Sequence, residues 1–204
     1  MALEDSSGVE SELRRLRLAL QAVTDASRNQ FSPKLLIEHR RISEQILIAE
    51  RKVAQSQGHS FAEPFHIPYE WSMSSSAKVL IRSPHSASIA YNHLKNSGGI
   101  AVITLMSLYK ITYGGPNDEA RHGHPLTGRG LAPYGASVVN HSKWVSKEKL
   151  INSVHHQYSE EDWSTISHFI LCFHDIQIEA LAKDLECHQV STSLDLWAMN
   201  DKEL

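Results

Sequence analysis

Cysteine is nearly missing from this chain. Two residues of 204, Cys172 and Cys187, cannot build a disulfide framework, and their scarcity fits a reducing compartment. Long apolar runs are missing too. The longest, from Ile100 to Leu108, is broken by Thr104 and Ser107 and is too short to cross a bilayer, so no membrane partner is expected. Neither sign of charge dominates: 20 Lys and Arg stand against 23 Asp and Glu, and a net charge of −3 gives no basic field for nucleic acid. The opening Met1-Ala2-Leu3-Glu4-Asp5 is acidic and has no apolar stretch of the signal-peptide kind, which points to a cytoplasmic protein. On that expectation Asn140-His141-Ser142 is not read as a glycosylation site. The terminal Asp201-Lys202-Glu203-Leu204 is a scrambled retention signal without function. Several catalytic templates are also absent. There is no Gly-x-Ser-x-Gly elbow, and Gly128-Arg129-Gly130 leads to Pro133 rather than into a helix, so neither a Walker loop nor a dinucleotide fingerprint is formed. No organic cofactor is expected.

With 41% hydrophobic residues and only 10 Gly and 7 Pro, the chain can bury a core. Val9, Leu13, Leu16, Leu20 and Val23 recur at helical spacing, with Arg14, Arg15, Arg17 and Gln21 on the other faces. After a break at Asn29-Gln30-Phe31, Ser32-Pro33 opens a second helix through Leu35, His39, Ile42, Ile46, Ala49 and Val53, which stops near Gly58. The short connection makes an antiparallel helical hairpin over residues 1–58. Its apolar seam has two uses: structural packing against a sheet, or dimerisation with a second copy.

Residues 59–204 read as a β-rich domain. His59 to Tyr69, with Pro64 and Pro68, reads as a linker, and Ala77 to Arg82 and Ser88 to His93 as short strands. Lys95-Asn96-Ser97-Gly98-Gly99 reads as a turn, and Ile100 to Tyr113 as one strand buried on both faces. A long loop rich in glycine and proline covers 114–135, a length that is usually functional or mobile. Ser146 to Val154, Ser159 to Ile166 and Ser193 to Met199 read as short helices, the second capped by Ser159 with Asp162. His168 to Phe173 is a strand, and Ile176 to Leu181 continues it or pairs back through a turn at His174-Asp175. The fold class is α+β: a helical hairpin, then a mostly antiparallel sheet, either open or curled into a small barrel.

Thirteen histidines are the chain's most distinctive content. Histidine carries protons near neutral pH and is the commonest metal ligand. One cluster lies in the loop, from Asp118 and Glu119 to His122 and His124; the other lies at a strand end, His174-Asp175 with Glu179 beyond. His122-Gly123-His124 is similar to the opening of the first cupin motif. Here six residues rather than five separate Gly115 from His122, and no acidic residue follows His124 before Lys147, so no metal site is carried over. Acid/base work needs only proton carriers in different environments, and His174, Asp175, Asp118, Glu119 and His124 are the candidate catalytic residues. Arg129, Tyr134 and Glu179 are candidate ligand-binding residues. Two readings stay open. In one, a small molecule is isomerised, cyclised or cleaved without metal or organic cofactor, in a pocket at the end of the sheet. In the other, a non-catalytic protein binds a ligand or assembles as a homodimer through the hairpin, with a His-ligated metalloprotein as a further variant.

Overall fold

The computed structural model describes residues 6–30, 32–94 and 99–200. Most of the turn expected at 95–99 lies outside the described residues, as do 1–5, Phe31 and 201–204. The apolar periodicity of the first 58 residues produces α1 (Ser6–Asn29) and α2 (Pro33–Ser56). Pro33 occupies the first turn of α2, where its missing N–H costs nothing. Ser32 stands at the N-cap, but its side chain makes no capping bond. Gly58, at φ +66, ends the helix in a Schellman arrangement: His59 N–H donates to Ala54 O at 2.9 Å and Gly58 N–H to Gln55 O at 3.1 Å. Leu13 and Leu16 of α1 pack on Ile42, Ile46 and Ala49 of α2, so the seam closes within the hairpin. No helix among the described residues is long and apolar enough to cross a membrane.

Nine strands follow among the described residues: β1 (Phe61–Pro64), β2 (Ala77–Ser83), β3 (Ser86–Tyr91), β4 (Ile100–Met106), β5 (Lys110–Gly114), β6 (Gly135–Asn140), β7 (Ser167–Cys172), β8 (Gln177–Ala182) and β9 (Asp184–Val190). They form two antiparallel sheets, one ordered β1-β6-β7-β8-β5 and the other β2-β3-β4-β9. Three further helices lie among the described residues: α3 (Lys143–Asn152), α4 (Glu160–Ser164) and α5 (Leu194–Asn200). The fold is α+β. The sheets share a core, and no closed barrel is found among the described residues.

Three local readings differ from the sequence pattern, and one alternative it left open, the turn at His174-Asp175, is decided. Phe61–Pro64 is an edge strand rather than linker; an edge strand needs only one neighbour, so a terminal proline is tolerated. The single strand expected from Ile100 to Tyr113 is two. Ser107, at φ 49, bends the chain out of one sheet, and Tyr109 N–H then donates to Leu181 O in the other. His174-Asp175 lies in a hairpin turn that returns β8 onto β7, with Phe173 N–H donating to Ile176 O at 3.0 Å. β9 carries Asp184, Glu186 and His188 on its outer side, which hid its strand alternation.

Strand alternation divides the side chains of β7 and β8. Phe169, Leu171, Ile178 and Ala180 point into the core between the sheets, facing Ile89, Tyr91, Ile103 and Leu105. Trp71 stacks on Phe173 with centroids 4.3 Å apart and donates its Nε1–H to Cys172 O at 2.9 Å. The opposite face carries His168, Ile170, Cys172, Gln177 and Glu179. The loop between β5 and β6 covers it, its Leu126 and Leu131 packing on Ile170, Cys172, Ala62 and Val139. The hairpin reaches the same loop. The buried Glu50 carboxylate accepts from Arg17 Nη2 at 3.0 Å and from Gly130 N–H at 3.4 Å.

Candidate functional site

Two polar clusters lie where the loop meets the sheet, and both clusters of the sequence reading contribute to each. Glu179 is the centre of the first. It opposes Ile170 on β7, which places His168 and Gln177 beside it on the outer face. Its Oε2 accepts from His168 Nε2 at 2.9 Å, and its Oε1 from Gln177 Nε2 at 2.9 Å and from His124 Nε2 at 3.3 Å. The other ring nitrogens are also engaged. His124 Nδ1 accepts from Leu126 N–H at 3.2 Å. His168 Nδ1 lies 2.9 Å from Ser142 Oγ, which accepts from Val145 N–H as the N-cap of α3 and so has its proton free for the imidazole. Both histidines therefore present Nε2–H to one carboxylate. Burial pushes the Glu179 carboxyl up, but the hydrogen bonds from His124 and His168 outweigh it and hold it well below the usual carboxylate range. Every imidazole nitrogen here is satisfied. The cluster is a clamp that fastens the loop to the sheet.

The second cluster is open. His174 and Asp175, neighbours in the turn between β7 and β8, reach the same side: His174 Nδ1 lies 2.7 Å from Asp175 Oδ1. Across the gap, Asp118 N–H donates to His174 O at 3.0 Å, which brings Asp118 Oδ2 to 3.7 Å from His174 Nε2. Tyr134 closes the group by donating its hydroxyl to the same Oδ2 at 2.5 Å. The Tyr134 hydrogen bond, with the nearby His174 and Arg121 charges, lowers Asp118 below the ordinary aspartate value and raises Tyr134 above its own. The Asp175 hydrogen bond and the Asp118 charge raise His174 above the ordinary histidine value. A proton on His174 is thus held between two carboxylates while its Nε2 edge stays accessible.

Arg121 anchors this end of the loop. Its Nη2 donates to Phe173 O at 2.6 Å and its Nη1 to Pro133 O, and its guanidinium lies 5.8 Å from the centre of the Tyr134 ring. Beside it, a cleft of about 350 Å³ opens between the hairpin and the loop, with Asp118 and Arg121 in its wall. A second cavity of about 390 Å³, lined by Phe65, Trp71 and Ala136, meets Tyr134 from another direction.

The sequence candidates therefore separate. His174, Asp175, Asp118 and Tyr134 meet, whereas His124 and Glu179 belong to the clamp. Glu119 is exposed and contributes its carbonyl oxygen to His122 Nδ1 at 2.7 Å. His122 and His124 thus turn to different partners, and among the described residues no group of three or more His, Cys, Asp or Glu side chains is arranged so that it could hold a metal ion. The Arg129 side chain meets no hydrogen-bond partner among the described residues; its carbonyl accepts from Ala62 N–H at 2.9 Å. His168, Ser142, Gln177 and Arg121 were not singled out from the sequence. His168 carried a signal, an imidazole at an alternating position in an otherwise apolar strand. For Arg121 nothing in its loop announced burial. Against protein-family models, curated proteins and solved structures, the chain finds no match in any of the three.

Proposed function

We propose that this protein transforms a small molecule by acid/base proton transfer at His174 and the Asp118–Tyr134 pair, in the class of isomerases, cyclases or lyases. The observation that carries this reading is the open geometry of His174. Asp175 holds Nδ1, so Nε2 is the atom left to exchange a proton, and it faces Asp118 at 3.7 Å. Asp175 orients the ring and stabilises its protonated form, Nε2 of the neutral ring takes the substrate proton, and Asp118, held ionised by its Tyr134 hydrogen bond, stabilises the imidazolium so formed. Of this group Asp118 lines the cleft between hairpin and loop, and Tyr134 lines the second cavity.

The reading is tested by proton NMR in D₂O with a panel of small enolisable carbonyl compounds, scoring C–H to C–D exchange. The full chain is expected to accelerate exchange in at least one compound, and His174→Gln and Asp118→Asn to slow it roughly 10²- to 10⁴-fold. Equal rates in both variants would remove these residues from the chemistry. A second reading, assembly of two copies through the hairpin, draws on Leu18, Leu36, Ile37 and Ile48, which stand exposed on α1 and α2. Light scattering on the full chain decides it: the mass of one chain at high concentration refutes assembly.

A further inference from the structure

Three neighbouring apolar side chains stand in water at the carboxyl end of α3. Val154 is 90% exposed, Leu150 73% and Ile151 55%. Ser153, the C-cap, keeps helical backbone angles, φ −59 and ψ −19, so Val154 continues the helix face. At 3.6 residues per turn, Lys143, Lys147, Leu150, Ile151 and Val154 share that face. The opposite face fastens the helix to the body. Buried Glu148 accepts from Lys110 Nζ at 2.8 Å and from Trp144 Nε1 at 3.2 Å, and Asn152 Oδ1 accepts from Trp163 Nε1 at 3.1 Å. Lys143 and Lys147 are exposed and make no hydrogen bond or ion pair among the described residues. The acids of α4 are mostly engaged elsewhere. Glu160 accepts from Lys149 Nζ and Tyr158 Oη, Asp162 accepts from Lys183 Nζ at 2.9 Å, and Glu161 alone has no such partner among the described residues. The exposed stripe thus carries two lysines and no acid, with its apolar residues gathered at the tip.

We propose that this tip docks on a membrane surface rich in anionic lipid. Leu150, Ile151 and Val154 enter the boundary between headgroups and acyl chains, and Lys143 and Lys147 meet the lipid charges behind them. Each residue type suits its depth. Aliphatic side chains gain by leaving water, and a lysine stem lies along apolar surface while its ammonium stays among the headgroups. Exposed His155, His156 and Gln157 follow the tip as a polar rim. Three side chains fall well short of the roughly 800 Å² per partner that a stable protein–protein interface buries, whereas a lipid surface needs no matching shape. Surface docking also needs no spanning segment: a small apolar insertion and a few basic residues act together. It is independent of the chemistry proposed at His174.

The test is co-flotation of the full chain with vesicles, pure phosphatidylcholine against a mixture of phosphatidylcholine and phosphatidylserine. The chain is expected to partition onto the anionic vesicles at least ~5-fold more strongly than onto the neutral ones. Added salt should release it by screening the lysine charges. Joint substitution Leu150→Gln and Val154→Gln should weaken partition at least ~10-fold. Lys143→Gln with Lys147→Gln should remove the preference for phosphatidylserine. All four positions are exposed, so the melting curves should match that of the natural chain. Leu36→Gln with Ile37→Gln, at exposed positions of the hairpin, is the control pair and should float like the natural chain. No flotation with phosphatidylserine, equal flotation with both vesicle types, or full flotation of the Leu150→Gln, Val154→Gln variant would each overturn the docking. So would loss of flotation in the hairpin pair alone. Self-association without flotation, abolished by the tip substitutions, would assign the tip to a second copy and overturn docking on lipid.

Discussion

Glu179→Ala removes one carboxylate and leaves three donors without an acceptor: His168 Nε2, Gln177 Nε2 and His124 Nε2. Each buried donor left unpaired costs roughly 1–3 kcal/mol. The three share one acceptor, and Glu179 is 24% exposed, so water can reach part of the group and the costs do not add in full. A total loss of about 2–4 kcal/mol follows, equivalent to a melting temperature lowered by roughly 5–15 °C for a chain of this size. Urea unfolding followed by tryptophan fluorescence measures it, with the slope unchanged. Because His124 belongs to the loop and the other two donors to the sheet, amide exchange should quicken first at Leu126, Thr127 and Arg129. The pH dependence gives a second check. Glu179 is lowered in the folded state, so its contribution is complete above the unfolded carboxylate value of about 4.3 and is lost as pH falls through the lower folded value. The stability gap between the natural chain and Glu179→Gln should therefore be flat from pH 7 to about 5 and shrink below about 4. A loss under about 0.5 kcal/mol for Glu179→Ala, or a gap that does not change in acid, would refute the clamp.

Gly130 sits at φ +86, and a Cβ there would lie 2.6 Å from Ala62 O and 2.3 Å from Arg51 Cγ, so Gly130→Ala should destabilise by at least ~2 kcal/mol in chemical denaturation. Burial pushes the Cys172 thiol up to about 11 and also raises Cys187, so at pH 8 iodoacetamide should leave Cys172 unmodified in the folded chain and modify half-buried Cys187 slowly. Rapid modification of Cys172 under native conditions would contradict its packing. His174 should titrate above the ordinary histidine value of about 6.5 by NMR, and Asp175→Asn should bring it down. Its favourable contribution is present below pH ~6.5 and lost as pH rises through the higher folded value. A midpoint at or below 6.5 in the natural chain would remove Asp175 as its partner.

Where periodicity is long, the sequence was enough to place elements. Leu13, Leu16, Ile42 and Ile46 recur over several helical turns, and Ser32-Pro33 and Gly58 mark an entry and an exit that depend only on local backbone geometry. The same holds for the Ser159–Asp162 cap and for β7, whose residues are apolar apart from its polar opening. The break of Ile100–Tyr113 at Ser107 was not legible, because an apolar run does not say which of two sheets buries each part. β9 was hidden by its charged outer face, and β1 by its proline. Both are edge strands, which tolerate polar residues and proline that a central strand would reject.

The site divides in the same way. That titratable residues gather in the 114–135 loop and after Phe173 is a property of the sequence, as is the adjacency of His174 and Asp175. Which partners they take is a tertiary outcome. The turn between β7 and β8 puts two consecutive side chains on one side, and the Asp118 N–H to His174 O bond brings a residue 56 positions away to the open imidazole. The pairing of Ile170 with Glu179 places His168 beside that carboxylate, and the loop brings His124 to its other oxygen. Helices and caps are encoded by neighbours a few residues apart and so can be read along the chain. Charge pairing, burial and the cleft at Arg121 depend on which distant segments share a face, and only strand register and loop packing decide that.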